Sequence, residues 1–351
     1  MDETLHDLSC ALHIHTTFSD GTATVPEIAE DARAGHRDVV MITDHDTMEA
    51  RRRGYEGWHG SVLLLVGEEV SPRGGHYLAF GLEEELGGRG LSEEEIPAAV
   101  SAAGGFGFAA HPFSTGSRMS KLIARPHPWK RLEDPAITGL ELWSLQTDVA
   151  ESWASPRQAW RSFVDPERWV EGPPDGHLRR WDELCASRRM VGIGGLDAHQ
   201  KGLRLLGRPF SPMRNERWLG MFGTHLLCRK PPLGDLIGDR AQVFEALREG
   251  RCYLCRDSLG NPTGFEFRAS GERGTILMGE EAEAGPWTLS VAFPREARIT
   301  LLRNGDPIAA ASGRRLEQDV DEPGAYRVEA ALQPGERLRR WIVSNPIYLR
   351  G

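Results

Sequence analysis

Short runs of apolar and β-branched residues bounded by turn signals recur through the first two-thirds of the chain, which is the pattern of buried strands. They fall at 8–14, 38–43, 62–66, 77–81, 106–110, 138–143 and 191–196. Helices fit between several of them. Thr24 and Glu27 make a capping box with Pro26 in the first turn, and Gly35 stops the helix it opens. Ser92 and Glu95 open another, which ends at Gly104-Gly105. This alternation predicts parallel βα units closing wholly or partly into a barrel.

Past about Asp257 the helical periodicity stops. Strand-like runs at 264–268, 288–293, 298–303, 325–331 and 340–344 alternate with the turn signals Asn304-Gly305, Pro323-Gly324 and Pro334-Gly335. Asn-Gly between two such runs is a hairpin signal. The reading is therefore an α/β domain over 1–257 and a small antiparallel β-sandwich, immunoglobulin-like in outline, over 258–351. Trp153, Trp160, Trp169 and Trp181 lie in an insertion before the last barrel strand; the first two, seven apart, are expected on one helical face packed against the barrel.

Composition narrows the function classes. Of the 351 residues, 40% are hydrophobic and 26% charged, as in ordinary globular proteins, and no apolar run approaches a bilayer span. The acidic start lacks the basic and apolar regions of a secretory signal, so a cytoplasmic location is expected. Five cysteines, an odd and scattered set, are read as reduced thiols, with Cys252 and Cys255 packing in a strand. A net charge of -9 excludes a long nucleic-acid groove, which needs clustered cations, but admits a small anionic substrate. Nothing in the pattern sets the oligomeric state.

Candidate chemistry collects where the runs end. His13 and His15 are two apart on an extended strand, so both rings face one side. Asp20 follows in the next loop, Thr43-Asp44-His45-Asp46 closes the second run, and Gly67-Glu68-Glu69 closes the third. His76 begins the fourth, Ala110-His111-Pro112 ends the fifth, and Asp197-Ala198-His199 ends the last. In a barrel these ends share one mouth. Nitrogen and carboxylate donors without thiolate suit Zn, Mn or Fe, and two or three ions are needed to use them all. Arg118, Lys121 and Arg125 after His111-Pro112, and Lys201 and Arg204 after His199, are placed to grip an anionic group. The remaining histidines, His6, His36, His59, His127, His177 and His225, fit no motif and are read as surface or packing residues.

The ordered set His13-Ile14-His15-Thr16, Ser19-Asp20-Gly21, Pro26-Glu27-Ile28, Thr43-Asp44-His45-Asp46-Thr47, Gly67-Glu68-Glu69-Val70, Ala110-His111-Pro112 and Asp197-Ala198-His199 resembles the PHP (polymerase and histidinol phosphatase) family of metal-dependent phosphoesterases over residues 8–257. Gly250-Arg251-Cys252-Tyr253 and the closing run from Trp341 to Tyr348 are similar to the CehA/McbA-type metallohydrolases within it. The resemblance implies a distorted (β/α)7 TIM-like barrel. It implies a first ion held by His13, His15, Glu69 and Asp197, a second bridged by Glu69 to His76 and His111, and a third on Asp20, His45 and His199. Glu68 would point to the opposite face from Glu69. The implied activity is hydrolysis of a small phosphorylated molecule such as a nucleotide by a metal-activated hydroxide. Glu69, Asp197 and His199 would be catalytic, and Asp197 or His199 would move protons. Carboxyl ester or carbamate hydrolysis, and a noncatalytic metal-stabilised module, are the alternatives. All nine ligand positions precede the tail, so deleting it is expected to leave them in place.

Overall fold

The apolar runs become strands buried on both faces, but they are divided between two sheets. In this computed structural model, which describes residues 4–119, 125–165, 169, 171–200, 203–205, 208–210 and 215–351, strands His6–Ile14, Val39–Ile42 and Val62–Val66 pair in parallel in that order. A second sheet contains Glu68–Val70, Tyr77–Phe80, Phe106–Ala109, Gly139–Ser144 and Val191–Gly195. Within it Tyr77–Phe80 runs antiparallel to both neighbours and the last three strands are parallel.

The expectation of all-parallel strands is corrected at one strand, which is reversed, and neither sheet closes on itself among the described residues. The sheets meet along two seams, at the isolated parallel bridges Ile14 to Ala198 and His45 to Glu69. The backbone explains the break. His13, Asp46 and Asp197, beside these bridges, take left-handed φ values of 63°, 51° and 50°, which no continuous ladder accommodates.

The first helix forms as its cap predicts. It spans Val25–Ala34, with the backbone N–H of Thr24 donating to the Glu27 carboxylate at 2.8 Å. The Ser92 and Glu95 pair also forms, but it closes a turn before the helix, which begins at Ile96 with Pro97 in its first turn. The tryptophan expectation fails in part. Trp153 is buried beyond the helix Leu145–Ser152, whereas Trp160 lies on the separate helix Pro156–Val164 and is 63% exposed. No described helix is long and apolar enough to cross a membrane.

The tail joins the body strand to strand. Gly223–Cys228 pairs antiparallel with the first strand, Cys252–Cys255 with Gly223–Cys228, and Arg339–Ser344 with Cys252–Cys255. The runs at 288–293 and 298–303 are two halves of one strand, Trp287–Arg303, whose ladder slips between Ala292 and Ala297. Its exposed partner Asp306–Val320 has only Leu316 buried and so carries little apolar signal. Asn304 and Gly305, at φ 51° and 88°, make the hairpin between them. Every described tail strand belongs by pairing to the sheet of the first strand.

Side chains lock this junction. The Arg327 guanidinium donates twice to the buried Asp182 carboxylate, at 2.6 and 2.8 Å. The Asn345 amide accepts from Gly192 N–H at 2.7 Å and donates to the carbonyls of Gly192 and Cys252 at 2.8 and 2.9 Å. Thr224 does the same for Gly194, accepting from its N–H at 2.9 Å and donating to its carbonyl at 2.8 Å. Asn345→Ala removes three buried hydrogen bonds to the backbone, and one to Cys252 Sγ at 3.2 Å, and should cost about 2–4 kcal/mol. Urea unfolding should show a lower midpoint with an unchanged slope.

Candidate metal centre

The backbone delivers the candidate ligands through strained positions. The ladder from the first strand to Val39–Ile42 slips between Leu12 and Ile14, with His13 left-handed at the slip. Simple alternation was the expectation for aiming His13 and His15 together; the bulge is what does it, bringing their ring centroids to 5.3 Å. His111 and Asp197, at φ 28° and 50°, repeat the device at the ends of two other strands. Such conformations cost roughly 1–3 kcal/mol each and persist only where the surroundings impose them.

Glu69 is the hub. It is fully buried, and its Oε2 lies 3.3 Å from His13 Nε2, 3.1 Å from His15 Nε2 and 3.1 Å from His45 Nδ1. Its Oε1 lies 2.9 Å from His76 Nδ1 and 3.2 Å from His111 Nε2. Asp197 Oδ1 is 3.4 Å from a nitrogen of each of His13, His15 and His199. Asp20 Oδ1 is 3.0 Å from His199 Nε2, 3.7 Å from His45 Nε2 and 3.8 Å from His15 Nδ1. All nine predicted ligands are therefore in one cluster. Its overlapping groups are His13, His15, Glu69 and Asp197; His45, Glu69 and His76; and His15, Asp20, His45 and His199. His45 thus stands next to the second group as well as the third.

The donor set fits cations. His13 Nε2, both ring nitrogens of His15, Glu69 Oε2 and His111 Nδ1 are buried without a hydrogen-bond partner. Buried polar atoms left so are costly unless something positively charged completes them. Protons compete for the same atoms. Burial pushes the His15 imidazole down, but Asp197 and Glu69 outweigh it and raise its pKa to about 9. Burial likewise opposes, and Glu141, Glu69 and Asp197 overcome it, to hold His13 well above the ordinary 6.5. Burial dominates at His45, which falls to about 4. Burial also opposes ionisation of Glu69 and Asp197, yet the surrounding imidazoles keep both well below the usual carboxylate range.

The sign of the pH dependence follows. A His whose folded pKa is raised stabilises the cation-free chain fully below about 6.5, and that contribution is lost as pH rises through about 9. Divalent ions need the neutral ring, so metal affinity should rise from pH 6 to about 9 and then level off. Calorimetric titration with Mn2+ across that range checks this.

Other predicted positions separate from the cluster. Glu68 accepts from the N–H groups of Leu86 and Gly87 at 2.8 and 2.7 Å, and so holds a loop. Arg118 and Arg125 are exposed on the segment after His111. Lys121 and Lys201, and the side chain of Arg204, lie outside the described residues. His127, read from the sequence as a surface or packing residue, instead sits against the cluster with its ring centroid 4.3 Å from that of His76.

Two contributors were missed. Thr147 donates its hydroxyl to Asp197 Oδ2, which leaves Oδ1 to the cluster. Glu141 is 1% exposed and takes His13 Nδ1–H at 2.7 Å. Its signal was a lone charge inside the apolar run Gly139-Leu140-Glu141-Leu142-Trp143. Elsewhere His225, Cys255 and Asp257 also bring ligand-type atoms together. There His225 is already held at both nitrogens, 2.8 Å from each of Asp7 and Asp257, and Arg37 pairs with Asp257 at 2.7 Å. That cluster is an ion network tying the strands.

No family model matches the chain, and no curated protein matches it. Among solved structures it is similar to a two-domain protein from Bacteroides vulgatus containing a predicted PHP-like metal-dependent phosphoesterase (TM-score 0.44, 14% identity, 97% of this chain and 95% of that one). It is similar to a Bifidobacterium adolescentis protein whose name proposes a metal-dependent phosphoesterase (TM-score 0.32, 21% identity, 65% and 98%). It is also similar to an amidohydrolase from Chromobacterium violaceum with bound sulfate (TM-score 0.31, 14% identity, 54% and 87%). Scores this low establish no shared fold, and the functional reading rests on the residues themselves.

Proposed function

We propose that the chain is a PHP-type metal-dependent hydrolase, with the two sheets forming a distorted barrel around two or three divalent ions of Zn, Mn or Fe type and a small phosphate ester as substrate. The observation that carries the reading is Glu69: one buried carboxylate faces five histidine nitrogens, two of which, His13 Nε2 and His15 Nε2, have no hydrogen-bond partner. Ions held there would make water acidic enough to ionise near neutrality and would neutralise charge growing on an ester's oxygens. His13, His15, Glu69 and Asp197 would hold one ion, His76 and His111 with the far oxygen of Glu69 a second, and Asp20, His45 and His199 a third. Thr147 orients Asp197. His199 donates from Nδ1 to the Asp197 carbonyl at 2.9 Å, which would aim its Nε2 at the outer ion beside Asp20. Arg118 and Arg125 carry the charge that would meet a phosphate's remaining oxygens.

The test is hydrolysis by one metal-loaded preparation of a nucleoside monophosphate, a nucleotide diester and a naphthyl carbamate, each with and without chelator. The expected result is chelator-sensitive turnover with the highest kcat/KM on a phosphate ester. A clear carbamate preference would move the chain to ester or carbamate hydrolysis. Metal uptake without turnover of any substrate would make it a noncatalytic module.

A further inference from the structure

We propose that Glu141 is a positioning residue that couples two subsites of the metal centre, fixing by one oxygen the nitrogen that His13 offers and by the other the backbone from which His111 projects. The proposal rests on the metal-dependent reading of the site.

Glu141 Oε1 accepts from His13 Nδ1 at 2.7 Å, which keeps a proton on Nδ1 and leaves Nε2, 3.3 and 3.4 Å from Glu69 Oε2 and Asp197 Oδ1, as the nitrogen a metal ion would take. Glu141 Oε2 accepts the backbone N–H of His111 at 2.7 Å. Each bond pins a residue in left-handed backbone, His13 at φ 63° and His111 at φ 28°. One carboxylate thus restrains a ligand from the first group and a ligand on the opposite oxygen of Glu69.

The strand end at Gly195 is shaped around this pair. A Cβ there would sit 2.0 Å from Glu141 Oε1 and 2.9 Å from His13 Cβ. Contacts that short force the pair apart, so the absence of a side chain at 195 is a requirement of the Glu141 to His13 bond. Asp20, His45 and His199 receive no contact from Glu141 among those described, so the outer group is uncoupled from it.

The experiment titrates the metal-stripped full chain with Co2+, read by absorption and calorimetry, for wild type, Glu141→Ala, Glu141→Gln and Gly195→Ala. Each variant is first checked for cooperative unfolding. Glu141→Ala should weaken two of the sites about 10- to 100-fold and leave the outer one unchanged. Gly195→Ala should reproduce that loss although Glu141 is intact. Glu141→Gln keeps a single acceptor oxygen and should preserve one of the two weakened sites. A merely structural role would lower the unfolding midpoint of the folded variants without moving their Co2+ affinities or spectra. Folded Glu141→Ala or Gly195→Ala that binds Co2+ as the wild type does overturns the proposal and leaves the metal reading standing. Wild type that binds no Co2+ overturns both, so the two failures are distinct.

Discussion

Glu69→Ala is expected to lose most bound metal and nearly all turnover, while Glu68→Ala next to it keeps both. Glu69 is the single carboxylate common to His13, His15, His45, His76 and His111, and it is fully buried. Removing one member of a buried ionic group costs roughly 3–5 kcal/mol. Loss of outer-shell partners alone typically costs about 10- to 100-fold, so loss of this shared ligand should lower activity by at least about a hundred-fold. Glu68 only caps the N–H groups of Leu86 and Gly87, so its loss should cost about 2–4 kcal/mol of stability with unchanged metal content. Elemental analysis and kcat for the two variants side by side check this. An inactive Glu68→Ala beside an active Glu69→Ala would reverse the assignment.

Truncation after Asp257 is expected to yield no folded protein. The sequence places every candidate ligand before that point, and on that ground alone the shortened chain should keep its site. The junction argues otherwise. Deletion strips Cys252–Cys255 of its pairing with Arg339–Ser344, frees Gly192 from Asn345, and removes the Arg327 partner of Asp182. The lost buried hydrogen bonds, at about 1 kcal/mol or more each, weigh heavily against a total stability of about 5–15 kcal/mol. Deletion also exposes Tyr253 and Trp181, both now fully buried. A soluble 1–257 chain with a cooperative unfolding transition would show that the body stands alone.

The nine clustered residues were legible because each is a His, Asp or Glu at or beside a boundary of an apolar run, where alternation stops and polarity begins. Glu141 was not, because one charge inside 139–144 reads as the wet face of a half-buried strand. An apolar run also announces a strand without its direction, so the reversal of Tyr77–Phe80 was hidden. The left-handed turns at His13, His111 and Asp197 carry no glycine or asparagine to mark them, and those at His13 and Asp197 flank the bridges between the sheets. In the tail, Asp306–Val320 escaped notice because its residues are mostly small or charged and it lies exposed along its partner. Spacing misled at Trp160: seven residues from Trp153 matches one helical face only if a single helix carries both, and Ser155 and Pro156 start a new one.

The most direct test is the metal stoichiometry of the full chain, purified without chelator and again after stripping and reloading with Zn2+, Mn2+ or Fe2+. Eight nitrogen and carboxylate donors in overlapping groups, with His111 against the shared Glu69 and five buried atoms of the set unpartnered, predict at least two ions per chain. One ion or fewer per chain after reloading would contradict the account.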